Sequence, residues 1–293
     1  FFGRGLVETV GNFGLQGTPP SHPQLLDWLA DDFRTHNWDL KRLHKMIVMT
    51  ATYQRASDLT EESLARDPAN QYFARGPRYR MSAEQIRDAS LNAAGLLVER
   101  VGGPSVFPYQ PAGLWEELAG GANNGPYVPS QGDDLYRRSL YTYRKRTVAH
   151  PTLATFDAPT WEICQLQRPR TNTPLQSLAL LNDVTYVEAA RKLAERMLIE
   201  PTQSSGTETS LRDSIRHGFV VVTLRQPSAS ELDVLWQGYQ VYSHYYAEHV
   251  DDANELLTTG QSRVDPSLPP DRLAAMTSVA AILLNLDEAV TKE

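Results

Sequence analysis

The stretch RTNTPLQSLALLNDVTYVEAARKLAERML, Arg170 to Leu198, carries two consecutive helical patterns with no strand signal between them. Thr173 is placed to cap the first helix. Pro174 takes its first position, where a missing N–H costs nothing, and Gln176 completes a Thr-x-x-Gln capping box. Leu175, Leu178, Ala179 and Leu181 are expected on its buried side. Asn182-Asp183 ends this helix. Thr185 and Glu188 open the next as a second box, with Val187, Ala190, Ala194, Met197 and Leu198 inward.

Working outward, the same signals recur. Ser21 and Gln24 have capping-box spacing before Leu25, Trp28, Leu29 and Phe33. Asp39 can cap a helix that turns Leu40, Leu43, Ile47 and Ala51 inward, so an antiparallel hairpin is expected here. Ser82 with Gln85 precedes Ile86, Ala89, Ala93 and Leu97, and Ser228 with Glu231 precedes Leu232, Leu235, Trp236 and Tyr239. Leu211, Ile215 and Phe219 mark one further helix, and Leu273, Met276, Ala280, Leu283 and Leu284 the last. SLYTYRKRTV, Ser139 to Val148, is rich in Tyr and Thr and reads as a strand. Gly102 to Asp134 holds seven glycines and five prolines, yet also Phe107, Tyr109, Trp115 and Tyr127. Loops of this length inside compact domains usually carry function or stay disordered, and the aromatics argue against plain disorder. The expected fold is mainly α, a multi-helix domain with one short β element and a long Gly/Pro-rich loop. Residues 1–293 are read as one domain, with a subdivision into a 1–200 core and a 207–293 helical subdomain as the alternative.

The chain has 293 residues, enough for a sizeable core without staples. Its 28 basic and 35 acidic residues give a net charge of −7, which speaks against the basic field that nucleic acids and anionic membranes need. No apolar run reaches the roughly 18 residues of a membrane-spanning helix. A single cysteine, Cys164, excludes an internal disulfide, a multi-cysteine zinc site and a C-x-x-C-H haem attachment. No cofactor is expected in this chain. A start at Phe1, without Met or leader, reads as a piece of something longer.

Five segments together carry a resemblance: GRGLVETVGNFGLQGTPPSHPQLLDWLA, SLYTYRKRT, TFDAPTWEIC, RTNTPLQSLALLND and the ending LLNLDEAVTKE. They resemble the C-terminal domain of unknown function (domain of unknown function 1553) of planctomycete cytochrome-c-linked proteins, over about Phe2 to Glu293. The resemblance implies an exported, extracytoplasmic multidomain protein. It also implies N-terminal domains of the same polypeptide as partners, with a c-type haem in one of them. Three positions depart from the family's pattern. Glu8 stands where a basic residue is common, Arg144 where an aromatic is common, and Trp161 where an arginine is common.

Three constellations are candidates for chemistry. Arg137, Arg138, Arg144, Lys145 and Arg146 crowd one segment, and Arg168 and Arg170 lead through Asn172 into the Thr173 helix start. Guanidinium groups beside free helix N–H groups suit a carboxylate, sulfate or phosphate, such as an anionic polysaccharide carries. The competing reading pairs these arginines internally with Asp157, Glu162, Asp183 and Glu188. His22, His44 and His150, with Asp27, Asp157 or Glu162, are the acid–base candidates, of which His22, His150 and Asp157 are the foremost. No metal-ligand spacing is present. Tyr109, Trp115, Tyr127 and Tyr136 suit stacking on sugar rings, or else anchor their loop to the core. The leading expectation is a binding or accessory domain that recognises an anionic glycan or a partner domain. A hydrolytic or redox enzyme using His22, His150, Asp157 or Arg170 is the second. A scaffold for other parts of the polypeptide, marked by apolar surface around Phe1 to Leu15, is the third.

Overall fold

The computed structural model describes residues 1–115, 126–145, 147–200 and 208–292. Among them are twelve α-helices and one two-stranded sheet, a mainly α fold. The chain divides into two compact units, and the principal division falls between Arg80 and Met81.

The first unit comprises Phe1–Arg80, Cys164–Gln167 and Thr291–Glu293. It contains α1 (Pro23–Thr35), α2 (Leu40–Val48), α3 (Glu61–Arg66) and the antiparallel pair β1 (Tyr79–Arg80) and β2 (Thr291–Lys292). Asp39 caps α2 through the Arg42 N–H, as expected. Ser21 does not cap α1. Its hydroxyl turns to the Leu6 carbonyl and to His22, which becomes the N-cap residue itself. Neither α1 nor α2 buries a residue, and Leu25, Trp28 and Leu40 of the expected inward stripes are exposed. The two helices are joined instead by a fork from Arg42 to both Asp32 oxygens, at 2.5 and 3.0 Å. Order here comes from ring contacts and backbone bonds. Phe2 packs against Tyr53 and Phe73, and the buried Asp67 carboxylate accepts the N–H groups of Gln71 and Tyr72.

The second unit comprises Met81–Ile163 and Arg168–Val290. Its helices are α4 (Ala83–Ala93), α5 (Pro151–Thr155), α6 (Pro174–Asn182), α7 (Val184–Ile199), α8 (Glu208–Thr223), α9 (Ala229–Glu248), α10 (Val250–Leu257), α11 (Pro270–Leu284) and α12 (Asp287–Val290). The capping boxes of Ser82 with Gln85 and Ser228 with Glu231 both form. The largest core joins α7 to α8, α9, α10 and α11, so residues on both sides of position 200 share it. Ala189, Ala190 and Ala194 on α7 and Ala274, Ala275 and Ala280 on α11 are fully buried, and small side chains let these helices approach closely. Gly218 marks another close approach. A Cβ there would lie 2.5 Å from the Met197 sulfur.

Two expectations are corrected in this unit. Thr173 makes no side-chain cap, and the Gln176 side chain turns inward to the Thr155 carbonyl and the Thr171 hydroxyl. That rotation buries Gln176 and Leu180 and leaves Leu175, Leu178 and Leu181 exposed, reversing the face expected for α6. The next helix is capped by Asp183, not Thr185, because Asp183 accepts the Thr185 N–H. The second correction concerns Ser139–Val148, which is not a strand. Ser139–Tyr141 is a 3-10 turn, followed only by isolated bridges of Thr142 to Val106 and Lys145 to Val148. α4 holds the approach to it. Arg87 donates to the Leu135 and Arg137 carbonyls just before the segment, and Asp88 accepts both the N–H and the hydroxyl of Ser139, its first residue.

Candidate functional site

Five arginines and lysines gather in the sequence between 137 and 146, but the fold separates their roles. Arg137 is fully buried, donates to the carbonyls of Arg100, Gly102 and Pro104, and stacks 3.9 Å over the Tyr141 ring. It locks the start of the Gly/Pro-rich loop and faces no ligand. Arg138 is exposed, and Arg146 lies outside the described residues. Arg144 donates to Glu84 at 2.8 Å, and Arg168 takes the other oxygen of the same carboxylate at 2.7 Å. Burial pushes the Glu84 carboxyl up, but its own backbone N–H, Arg144 and Arg168 outweigh that and hold it below the usual carboxylate range. These arginines are therefore paired internally, with Glu84 rather than with the acidic residues singled out in the sequence. Arg170, Asn172 and Thr173 are exposed at the start of α6.

A cleft opens in the second unit where two sequence segments meet. Arg144, Lys145, Val148, Ala149 and His150 form one side, and Ala158, Pro159, Thr160 and Trp161 another, over Leu153 and Ala154 of α5. The enclosed part has room for little more than a water-sized group. Trp161 takes a positive φ of 65° and stays 56% exposed, with the Arg144 guanidinium 4.7 Å over its ring. Asp157 also has a positive φ, of 63°, and its carboxylate fixes the N–H and hydroxyl of Thr171. Asp157 thus pins the segment that carries the wall and makes no bond to a histidine.

Two side chains of this cleft end in buried atoms without a hydrogen-bond partner among the described residues. The Lys145 ammonium is one. It rests 4.1 Å over the Trp115 ring, and Trp115 packs with Phe107, Tyr127 and Tyr143. Nδ1 of His150 is the other. Its Nε2 lies 3.0 Å from the Tyr109 carbonyl oxygen. Burial, with the Arg87 charge adding to it, pushes the imidazole down to about 4, so the ring is neutral near pH 7. Tyr109 is held in turn. Its hydroxyl accepts the Gln261 N–H at 2.7 Å, and neighbouring Tyr136 donates to the buried Glu188 at 2.8 Å. Burial and the Glu188 charge push the Tyr109 phenol up to about 12. Of the two roles expected for the loop aromatics, Tyr109, Tyr127 and Tyr136 take the anchoring one, and Trp115 lies under the Lys145 ammonium.

The acid–base candidates are not assembled. His22 belongs to the first unit, stacked on Phe73 with Nδ1 against the Ser21 hydroxyl. Among the described residues, neither His22 nor His150 bonds a carboxylate, and no group of three metal-ligating side chains is present. Nor is any helix there long and apolar enough to cross a membrane. Sequence reasoning named Trp115, Tyr109, Lys145 and His150 separately. It treated Trp161 only as a departure from a pattern and Arg144 also as one of the crowded cations, and gave no sign of the contact between their two segments.

This is a mainly helical domain with a small cationic and aromatic cleft. Residues 1–239 match the family model described as Protein of unknown function (DUF1553), and the chain belongs to that family. The match ends within α9, so α10 to α12 lie beyond it. No curated protein and no solved structure matches the chain significantly.

Proposed function

We propose that this domain is a binding module for an acidic carbohydrate, with the cleft of Arg144, Lys145, His150 and Trp161 as its site. The observation that carries the reading is the Lys145 ammonium, withdrawn from water, set over the face of Trp115 and without a hydrogen-bond acceptor among the described residues. A buried cation without an acceptor is costly, and such cost persists where a ligand supplies the partner. Exposed Trp161 offers a flat apolar face for a sugar ring, and the Arg144 guanidinium, paired with Glu84, stacks against that ring. The small enclosed space suits one substituent of a larger ligand whose remainder lies across Trp161. An extracytoplasmic placement, and further domains with a c-type haem in the same polypeptide, accord with this reading and stand as part of it. Calorimetry with acidic and neutral oligosaccharides tests it. Acidic chains bind, neutral chains do not, and Trp161→Ala removes binding without unfolding the domain. Equal behaviour of the two classes contradicts it.

A second reading draws on the first unit. Phe13, Leu15, Trp28, Trp38 and Met49 are exposed there, and α1 and α2 bury nothing. Apolar surface of this extent favours docking on another protein surface, as a scaffold would. Binding of a hydrophobic dye that falls when the domain is joined to its neighbours in the full polypeptide supports it. Unchanged dye binding opposes it.

A further inference from the structure

We infer that the ligand of this cleft is a uronic-acid sugar, whose carboxylate pairs with Lys145 and whose neighbouring hydroxyl donates to Nδ1 of His150. The inference rests on the cleft being a carbohydrate site and narrows the class of acid it takes. The first step is the tautomer. A carbonyl oxygen only accepts, so the 3.0 Å contact with Tyr109 requires the imidazole proton on Nε2. Nδ1 is then a bare lone pair, buried and without a partner. A lone pair there demands a donor from the ligand. Sulfate, phosphate and carboxylate groups ionised at neutral pH accept only, whereas a sugar hydroxyl donates.

The second step adds the lysine. Its three N–H groups demand an acceptor, and none is present among the described residues. One ligand must therefore offer a donor and an anionic acceptor together. A uronic acid carries both on adjacent carbons, and in a 1,4-linked chain the sugar at the non-reducing end keeps that hydroxyl free. The small enclosed space suits a hydroxyl or one edge of a planar carboxylate better than a bulkier tetrahedral sulfate ester.

The third step is the support behind the histidine. Tyr109 is clamped from the far side by the Gln261 N–H, and its neighbour Tyr136 donates to Glu188, which also accepts the Ser262 N–H at 2.6 Å. Tyr109 is thus a positioning residue. It fixes which imidazole nitrogen is bare before any ligand arrives, and preorganisation of this kind gives a site its selectivity.

The test uses the unaltered domain and three probes of equal length: an oligogalacturonate, its methyl ester and a sulfated galactan oligosaccharide. Calorimetry is combined with 15N spectra of the His150 ring. The expected result is an Nε2–H tautomer at neutral pH and binding of the galacturonate at least about tenfold tighter than either other probe. Its addition shifts the Nδ1 resonance as that atom accepts a hydrogen bond. His150→Phe weakens the galacturonate by a similar factor. Should that variant fail to fold, the nitrogen shift in the unaltered protein decides alone. An Nδ1–H tautomer, or a sulfated probe that binds as well as the galacturonate, overturns the inference and leaves the acidic-carbohydrate reading standing. Failure of both acidic probes overturns both.

Discussion

The Arg144 guanidinium lies 4.7 Å over the ring of Trp161, joining the two segments that form the cleft. A double-mutant cycle of Arg144→Ala and Trp161→Ala is expected to give a coupling energy of about 0.5–2 kcal/mol by denaturant unfolding. Strict additivity would mean that the stacking contributes nothing.

Adjacent arginines should behave oppositely. Arg137 is fully buried with three carbonyl acceptors, whereas Arg138 is exposed. Arg137→Ala leaves those carbonyls without donors and should cost about 3 kcal/mol or more. Arg138→Ala should stay within about 0.5 kcal/mol of the unaltered protein. Thermal melts of the pair would expose an error if the two variants lose similar stability.

Gly260 has φ +88° and sits against Glu188, where a Cβ would lie 2.2 Å from the carboxylate carbon. Gly260→Ala therefore strains the backbone and displaces the acceptor of Tyr136 and Ser262. A loss of about 2 kcal/mol or more is expected. A variant that melts with the unaltered protein would show that Glu188 moves freely.

His150 makes stability depend on pH with a definite sign. In the unfolded chain it takes a proton as pH falls through 6.5, but in the folded domain only near about 4. The unfolded state binds more protons across that window, so its contribution to stability is full above the window and is lost as pH drops through it. The loss amounts to roughly 3 kcal/mol. Subtracting the pH profile of His150→Phe from that of the unaltered domain should isolate this slope, and a flat difference would refute it.

How far the sequence reveals these features differs from element to element. Capping boxes at Ser82 and Ser228 form because both members sit at a real helix start and nothing else competes for them. The box at Thr173 fails because Gln176 has better partners in the Thr155 carbonyl and Thr171, and its rotation turns three leucines outward. SLYTYRKRTV has strand composition, but Asp88 of α4 takes the Ser139 N–H and hydroxyl, and Tyr141 and Tyr143 spend backbone groups on Val106. Asp88 and Val106 lie far from the segment's residues in sequence, as Thr155 does from Gln176. The site was legible as residue types only. Lys145, His150 and Trp115 stood out by chemistry, while the tautomer of His150 depends on the carbonyl of Tyr109, forty-one positions away. Tertiary contacts of that span leave no periodic trace.

The most direct measurement compares the unaltered domain with Lys145→Met, by melting and by titration with an oligogalacturonate at low and raised salt. Methionine keeps the packing on Trp115 and removes the unpartnered charge. The account predicts an unchanged or higher melting temperature, salt-sensitive binding by the unaltered domain, and binding at least about tenfold weaker in the variant. A variant that binds as tightly as the unaltered domain, or that melts markedly lower, would contradict it, because Lys145 would then serve the fold and not a ligand.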